Sequence, residues 1–321
     1  MNILAINDYQ ESYMMGSGNL NQFEGRFMTN EPMSRHTSWR VGGMADRLYI
    51  PHDLEDLKLF LGELKEDEQL TWIGLGSNLL VRDGGIRGTV IATKNMEDSI
   101  ILLKGGLLLA GAGMSCAQLA KTSVKYGLTG AEFLVGIPGT LGGALAMNAG
   151  AFGGETWGVV HSVTTINRRG VERIRSKEEF NIAYRNVELG KDEWFLSATL
   201  KLKSDIDQNG KAIIKDLLNR RSNSQPIGEA SCGSVFKNPD TGEPAAKLID
   251  KSGLKGIAIG GAVVSEKHAN FILNKEDATA EDIEKLINKI QQVVKEKFNV
   301  LLIPEVRIIG TYMPEGTSSN G

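Results

Sequence analysis

The segment that decides the fold reads GIPGTLGGALAMNAGAFGG, from Gly136 to Gly154. Glycine is far denser here than its share of 38 in the 321-residue chain would give. Because glycine lacks a Cβ, it lets the backbone approach a ligand closely or adopt positive φ, at a cost of roughly 0.5–1 kcal/mol per site in regular structure. One turn cannot account for so many glycines. The segment therefore predicts a stretch of backbone that faces a ligand.

A second glycine loop lies earlier in the chain, in TWIGLGSNLLV from Thr71 to Val81. Gly74 and Gly76 follow a predicted strand, and Ser77 and Asn78 come next. Successive N–H groups in such a loop can converge on phosphate oxygens. The third glycine of the G-x-G-x-x-G dinucleotide fingerprint is absent, and so is a P-loop. The loop indicates either a phosphate cradle or an ordinary tight turn.

The surroundings of this loop predict an α/β unit. Asp53 is a predicted helix N-cap, and four leucines follow on one helical face: Leu54, Leu57, Leu61 and Leu64. The strand candidates DRLYIP and LTWIGLG flank this helix. The short β-rich runs GTVIAT, SIILLKG and LLLAGAG precede another predicted helix that opens at Ser115.

The polar segment IDQNG, Ile206 to Gly210, predicts a domain boundary. Beyond it the pattern predicts helices over 213–223 and 243–251, and GIAIGGAVVS predicts a strand with a turn. Thr279 and Asp282 form a capping-box-like start to a long amphipathic helix. A final strand is predicted over 300–309.

Composition excludes several function classes. A net charge of −3 and a pI near 5.9 give no reason to expect a nucleic-acid partner. The two cysteines, Cys116 and Cys232, form neither a CxxC pair nor a metal-ligand cluster, so we expect no metal and a reducing compartment. The N-terminus does not resemble a signal peptide, and no apolar run is long enough to span a bilayer. We therefore expect a cytoplasmic protein without a membrane segment.

Taken together, GLGSNLLVRDGG (Gly74–Gly85) and GAEFLVGIPGTLGGALAMNAGAFGGE (Gly130–Glu155) resemble the FAD-binding domain of the UDP-N-acetylenolpyruvoylglucosamine reductase family. Further matches follow in the family's order: HTSWRVGG from His36, Tyr184-Arg185, Gln225-Pro226, CGSVFKNP from Cys232, HANF from His268 and IPEVRIIG from Ile303. The resemblance covers about residues 34–310. The short separation of Arg185 and Ser234 is typical of the subtype without an extra substrate-covering loop. Cys232 departs from the family, which usually has a small residue there.

The resemblance implies an α+β fold built from α/β subdomains. A FAD-binding domain similar to those of p-cresol methylhydroxylase and vanillyl-alcohol oxidase would precede a C-terminal, substrate-binding α+β domain. The expected layout is an N-terminal extension (1–33), a FAD-binding domain (34–204, with subdomains of about 34–100 and 101–204), the C-terminal domain (205–310) and a disordered tail (311–321). This class holds FAD without a Rossmann loop, which agrees with the missing third glycine.

The resemblance also implies the reaction. FAD is the expected cofactor and NADPH the co-substrate, in the reduction of UDP-N-acetylglucosamine enolpyruvate to UDP-N-acetylmuramate for peptidoglycan. This places the protein in cell wall biogenesis, with effects on cell shape and division. We expect a monomer whose partners are small molecules.

Three catalytic residues are implied. Arg185 would hold the substrate carboxylate, and Ser234 would donate a proton. Glu305 would complete the site as an orienting or proton-relaying group. From the residues alone, Ser234 could equally be a turn hydroxyl and Glu305 a surface partner of Arg307. The implied cofactor-binding residues are Gly74, Gly76, Ser77, Asn78, Leu79, Gly136, Ile137, Pro138, Gly139, Thr140, Gly142, Gly143, Asn148 and Gly150. The implied substrate-binding residues are Tyr184, Arg221, Gln225, Lys237, Asn238 and His268.

Two other functions fit parts of the pattern. Another flavin oxidase or dehydrogenase of the same superfamily would keep the glycine blocks but would not need Ser234 or Glu305. A flavin-free nucleotide-sugar binding protein would use the glycines only as turns. Bound flavin distinguishes the second alternative from the other two readings.

Overall fold

The structure is a computed structural model that describes residues 22–94, 96, 99–240 and 242–313. The described chain divides into two compact units. The first comprises residues 22–29, Arg47–Gly74 and Gly88–Gly210. The second comprises Asn30–Asp46, Leu75–Arg87 and residues 211–313.

This division differs from the continuous FAD-binding domain expected over 34–204, because two early segments belong to the second unit. The Trp39 indole donates to the carbonyl of Ile272 across 2.7 Å, which attaches segment 30–46. Segment 75–87 is attached by a parallel strand pair in which Leu79 lies opposite Arg307. The expected boundary at 204/205 lies near the observed one at Gly210. The subdomains of about 34–100 and 101–204 stay a prediction.

The strands and helices have the following bounds. The strands are β1 (Arg26–Pro32), β2 (Met44–Ile50), β3 (Leu70–Ile73), β4 (Leu79–Val81), β5 (Ile86–Ala92), β6 (Ile100–Leu102), β7 (Leu107–Gly111), β8 (Leu128–Thr129), β9 (Gly150–Ala151), β10 (Gly154–Glu155), β11 (Val160–Asn167), β12 (Glu172–Ser176), β13 (Asn181–Ala183), β14 (Asn186–Glu188), β15 (Glu193–Lys201), β16 (Lys203–Ser204), β17 (Ala258–Ile259), β18 (Ala262–Val264), β19 (Ile272–Asn274) and β20 (Arg307–Ile309). The helices are α1 (Leu54–Glu63), α2 (Cys116–Lys125), α3 (Leu141–Met147), α4 (Thr156–Val159), α5 (Gly210–Ser224), α6 (Ala245–Lys251) and α7 (Ala280–Phe298).

The first unit is built mainly on a five-stranded antiparallel sheet of order β12-β11-β15-β7-β6. A four-stranded sheet has the order β1-β2-β5-β3, and β3 pairs parallel with β5. Helix α1 begins as predicted, because the Asp53 carboxylate accepts the Asp56 N–H at 2.9 Å. Phe60 of this helix stacks on Tyr49 with ring centroids 3.8 Å apart, in a fully buried cluster. Ser115 caps α2, which confirms that helix start.

The second unit packs α7 against small sheets. Strands β17, β18 and β19 are antiparallel, and β4 pairs parallel with β20. The predicted capping box of Thr279 and Asp282 is confirmed. The Asp83 carboxylate also accepts the N–H groups of Ala280 and Glu281 at 3.0 and 2.9 Å. Helix α7 buries Ile283, Leu286, Ile287, Ile290 and Val294 in the core of this unit.

Three expectations need correction. The N-terminal extension is shorter than 1–33, because β1 over Arg26–Pro32 joins a sheet; its mixed polarity hid the strand pattern. The last strand covers only Arg307–Ile309 instead of 300–309, since Pro304 has no N–H to give to a ladder. The tail begins later than Thr311, which exchanges backbone hydrogen bonds with Gly84 and Gly85. Residues 1–21 and 314–321 lie outside the described residues.

Within the described ranges, no helix combines the length and the apolar character needed to cross a membrane.

Candidate active site

Two of the predicted catalytic residues lie on backbone segments that are hydrogen-bonded to each other in the second unit. Glu305 donates its N–H to the carbonyl of Val235 at 2.7 Å, and Phe236 lies opposite Pro304 in an antiparallel bridge. Val235 directly follows Ser234. Val235 and Phe236 are buried, whereas Ser234 and Glu305 are half-buried. The fold therefore brings Ser234 and Glu305 to adjacent positions with their side chains partly accessible.

The opposite edge of the serine segment is held by a residue that sequence reasoning did not assign. Asn270 accepts the Val235 N–H through its own carbonyl at 2.8 Å. Its carboxamide accepts the Phe236 N–H at 3.0 Å and donates to the Phe236 carbonyl at 2.8 Å. Asn270 is 4% exposed. The available signal was an asparagine inside the HANF match, a polar residue flanked by apolar ones.

The loop from Gly76 to Asn78 is tied to the Glu305 segment. The Asn78 side-chain amide donates to the Glu305 carbonyl at 3.1 Å, and Arg307 donates its N–H to the Asn78 carbonyl at 3.1 Å. Gly76 has φ of +61°, and a Cβ at this position would lie 2.0 Å from the His36 carbonyl oxygen. Only glycine fits there.

This loop fits the diphosphate of FAD. Among the described residues, the N–H groups of Gly76 and Ser77 donate to no protein acceptor. Gly76 is buried and Ser77 is half-buried. Two consecutive amides around a positive-φ glycine form the concavity that binds anionic oxygens. The donors present therefore suit a phosphate group.

Cys232 connects the serine segment to this loop. Its thiol lies 3.6 Å from the Gly76 carbonyl oxygen and 3.5 Å from that of Leu79. Burial raises the pKa of the Cys232 thiol to about 12, so the side chain stays a neutral thiol. The Cys232 side chain is buried in the core cluster of the second unit.

Arg185 belongs to the first unit. It occupies a two-residue loop between the paired strands β13 and β14, with φ of +53°. Its guanidinium donates to the carbonyls of Asn148 and Gly150 at 3.2 and 2.9 Å and lies 4.8 Å from the Tyr184 ring centroid. A non-glycine residue at positive φ is uncommon and costs about 1–3 kcal/mol. The hairpin therefore brings Arg185 together with two predicted cofactor residues, Asn148 and Gly150.

In the main glycine block, residues 136–154, much of the backbone is hydrogen-bonded to other protein groups. The N–H groups of Leu141 and Gly142 donate to the carbonyls of Met114 and Ala112, both at 2.8 Å. A Cβ on Gly74 would lie 2.3 Å from the Thr140 hydroxyl, so close packing explains this glycine. Contact with FAD stays a prediction for the residues of this block: Gly136, Ile137, Pro138, Gly139, Thr140, Gly142 and Gly143.

Two predicted substrate residues, Arg221 in the last turn of α5 and Gln225 just after it, are hydrogen-bonded to each other. Arg221 donates its Nε–H to the Gln225 side-chain oxygen at 3.2 Å. Burial lowers the pKa of the Arg221 guanidinium, which nevertheless remains a cation at neutral pH. A half-buried arginine held by an amide suits an anionic group such as a diphosphate.

The other predicted substrate residues flank the serine segment or the Asn270 loop. Lys237 donates its backbone N–H to Ile303 at 2.9 Å, and the Asn238 side chain caps α6 through Ala245 at 3.1 Å. His268 accepts the Asn270 N–H at Nδ1, at 3.3 Å. Burial lowers the pKa of His268, which favours the neutral ring; because Nδ1 accepts a hydrogen bond, the ring hydrogen lies on Nε2.

Two family models match successive parts of the chain. A FAD binding domain matches residues 45–174, and the C-terminal domain of UDP-N-acetylenolpyruvoylglucosamine reductase matches residues 225–309. These matches confirm the expected FAD cofactor and the two-part α+β fold.

Whole-chain relatives agree. A UDP-N-acetylenolpyruvoylglucosamine reductase of Legionella pneumophila (strain Corby) is 52% identical over 297 residues, covering 92% of this chain and 96% of the relative. One from Alkalilimnicola ehrlichii is 54% identical over 280 residues, covering 87% and 93%. The crystal structure of UDP-N-acetylenolpyruvylglucosamine reductase from Thermus caldophilus aligns with a TM-score of 0.75 at 31% identity, covering 89% of this chain and 98% of that one. This chain belongs to the UDP-N-acetylenolpyruvoylglucosamine reductase family.

Proposed function

We propose that this chain reduces UDP-N-acetylglucosamine enolpyruvate to UDP-N-acetylmuramate, with NADPH as co-substrate, in the synthesis of peptidoglycan precursors. The observation that carries the proposal is the placement of Ser234 and Glu305 on two hydrogen-bonded segments beside the Gly76–Asn78 loop. When bound, FAD supplies the hydride for the terminal carbon of the enolpyruvyl group. The residues of this chain must hold the substrate and supply a proton.

Ser234 is the proposed proton donor to the carbon that bears the carboxylate. A serine hydroxyl is a weak acid, so it can serve only a strongly basic carbanion, with neighbours that stabilise the departing alkoxide. Lys237 lies three residues along the same bonded segment and is the proposed cationic neighbour. Glu305, across the bridge, is proposed to orient the hydroxyl or to relay the proton that restores it.

Arg185 is the proposed carboxylate ligand. Addition of hydride pushes negative charge onto the carboxylate side of the substrate, so a cation there stabilises the transition state. The carbonyls of Asn148 and Gly150 fix the plane of the guanidinium. A fixed planar fork is the arrangement that bidentate carboxylate binding requires.

FAD would be held in part by the amides of Gly76 and Ser77, which are arranged for a diphosphate. The Asn148–Gly150 segment and the main glycine block are proposed as further contacts. Arg221 and Gln225 are proposed to bind the anionic nucleotide portion of the substrate, and Tyr184, Asn238 and His268 to line its site. A monomer in a reducing cytoplasm stays our expectation, and the two free, buried thiols agree with such a compartment.

The test is a two-step anaerobic measurement on the purified protein loaded with FAD. NADPH should bleach the flavin absorbance, and addition of UDP-N-acetylglucosamine enolpyruvate should restore it with formation of UDP-N-acetylmuramate. A reduced flavin that this substrate cannot reoxidise would refute the proposal and favour another flavin oxidoreductase. A folded protein that binds no FAD would favour the flavin-free alternative.

A further inference from the structure

The backbone segment that carries Ser234 is hydrogen-bonded on both edges. One edge faces the continuous backbone segment 303–305, and the other faces the single residue Asn270. On one edge, residues 303–305 bond to Val235 and Lys237 through backbone groups at 2.7 and 2.9 Å. Phe236 and Pro304 form a non-hydrogen-bonded antiparallel pair, flanked by the backbone bonds of Val235 and Lys237. The backbone N–H and carbonyl of Phe236 therefore point away from that edge.

Asn270 supplies that other side. Its carbonyl takes the Val235 N–H, and its carboxamide satisfies both the N–H and the carbonyl of Phe236. A carboxamide offers the same donor and acceptor as a peptide group, so it can stand in for a strand residue. Phe236 is 1% exposed and Asn270 is 4% exposed, so water does not offer a substitute.

Asn270 is itself held firmly. The Phe271 N–H bonds to the His268 carbonyl at 3.0 Å, and the Asn270 N–H bonds to the His268 ring at 3.3 Å. Strand β19 continues directly from Phe271 and pairs with β18. The carboxamide is therefore mounted on a rigid turn that opens a strand.

We propose that Asn270 is a positioning residue, which sets the location of the Ser234 hydroxyl relative to the Glu305 carboxylate by bridging both backbone groups of Phe236. This inference rests on the proposed function of Ser234. It assigns to Asn270 no contact with substrate or cofactor. Its loss should affect the step that needs the proton and leave the reduction of the flavin by NADPH unchanged.

The substitution N270D tests this inference, because protonation of the new carboxyl at low pH should restore the bridge to Phe236. A protonated carboxyl keeps one donor and one acceptor, so it can still bridge Phe236. An ionised carboxylate only accepts, and it would turn an oxygen toward the Phe236 carbonyl. Burial raises the pKa of such a carboxyl above the ordinary 3.9 by up to about 3–5, which places the change above about pH 4 and at most at about pH 7–9. Titratable groups near this position include His268, Lys237 and Glu305, together with Lys255, whose charge acts on His268; the wild type shares all of them.

We expect N270D to match the wild type in flavin reoxidation by substrate at the acid end of this range. As pH rises, its rate should fall by about 10²-fold relative to the wild type, the loss typical of a misplacement of about 1 Å. Flavin reduction by NADPH should stay within about two-fold at every pH, and KM for the substrate should change less than kcat. N270A removes both the donor and the acceptor that face Phe236, so its reoxidation should be slow at every pH; it provides the test if N270D does not fold.

The control is N274D. Asn274 is half-buried and also bridges two backbone groups with its carboxamide, accepting from Ala278 at 2.9 Å and donating to Trp39 at 3.0 Å, neither of which belongs to the serine segment. The inference is overturned if N270D follows the wild-type pH profile, if both half-reactions slow equally, or if N274D shows the same pH-dependent loss. Failure of the wild-type flavin to be reoxidised by the substrate would instead refute the proposed function.

Discussion

Glu305 donates its backbone N–H to the carbonyl oxygen of Val235 across 2.7 Å, and Val235 is the residue directly after Ser234. This bond joins the segment before the last strand to a segment about 70 residues earlier in the chain. The same Glu305 residue accepts the Asn78 side-chain amide through its carbonyl at 3.1 Å. The predicted proton donor, the predicted relay and the predicted phosphate loop are therefore parts of one hydrogen-bonded assembly in the second unit.

Substitution of Ser234 by alanine should separate the two half-reactions. Reduction of the flavin by NADPH needs no proton from the serine and should be largely unchanged. Reoxidation by UDP-N-acetylglucosamine enolpyruvate should slow by about 10²–10⁴-fold, the usual contribution of general acid catalysis. Ser234→Cys should retain part of the activity, because a thiol can also donate a proton. Stopped-flow measurement of each half-reaction decides; an unimpaired second step would remove Ser234 from the mechanism.

Substitution of Arg185 by lysine should strongly lower turnover although the charge is kept. A lysine ammonium cannot bond to the carbonyls of Asn148 and Gly150 and also grip a carboxylate with two parallel donors. We expect a fall of roughly 10²-fold in kcat/KM, about 2.7 kcal/mol of transition-state stabilisation. Steady-state kinetics measure this, and unfolding by urea checks that the hairpin is intact. Turnover close to that of the wild type would contradict the role.

Substitution of Gly76 by alanine should weaken both the fold and FAD binding. The new Cβ would lie 2.0 Å from the His36 carbonyl oxygen, and φ of +61° is strained for alanine. Gly228→Ala is the matched control, because Gly228 also has positive φ, of +86°, but no atom lies within 4 Å of a Cβ there. We expect both variants to lose about 1 kcal/mol from backbone strain, Gly76→Ala to lose more because of the clash with His36, and only Gly76→Ala to bind FAD more weakly. Fluorescence titration with FAD and urea unfolding report the two effects; equal FAD affinity in both variants would exclude a cradle at Gly76.

The ion pair of Arg82 and Glu284 should make stability depend on pH. Arg82 donates to both carboxylate oxygens of Glu284 at 3.0 and 2.9 Å, and these hydrogen bonds lower the pKa of Glu284. A carboxyl with a depressed folded-state pKa stabilises the fold above its unfolded pKa of about 4.3, and this stabilisation is lost as pH falls through the folded value.

Glu284→Gln should therefore lower the free energy of unfolding by about 1–3 kcal/mol at neutral pH, and the difference from the wild type should shrink below about pH 4. Urea unfolding across this range measures it. Glu281→Gln is the control, because the Glu281 pair with Lys285 is exposed and contributes at most about 1 kcal/mol. A deficit of Glu284→Gln that is constant with pH would contradict the electrostatic explanation.

The two cysteines should resist thiol reagents in the folded protein. Burial raises the pKa of both Cys116 and Cys232 to about 12, so very little thiolate exists at neutral pH. A chromogenic disulfide reagent should label neither thiol until urea unfolds the chain, and both afterwards. Rapid labelling of Cys232 in the native protein would show that the serine segment opens to solvent.

The glycine-rich blocks and the ordered motifs determined the family, the FAD cofactor and the two-part α+β fold from the sequence alone. Local chemistry was readable in the same way: Asp53, Ser115 and Thr279 cap helices because a side-chain oxygen and a nearby N–H are a few residues apart. Such capping signals can be read from the sequence because the side-chain oxygen and the N–H that it accepts lie three residues apart.

Only the tertiary structure decided the rest. It assigned segments 30–46 and 75–87 to the second unit through long-range bonds such as that of Trp39 to Ile272, which no local pattern encodes. It also showed that Gly136, Gly150 and Gly154 pack against protein, because a Cβ on each would lie 2.5 Å from another protein atom. Asn270 acquired its place beside Ser234 in the same way, because a buried carboxamide bonds to whichever backbone groups the fold leaves unpaired.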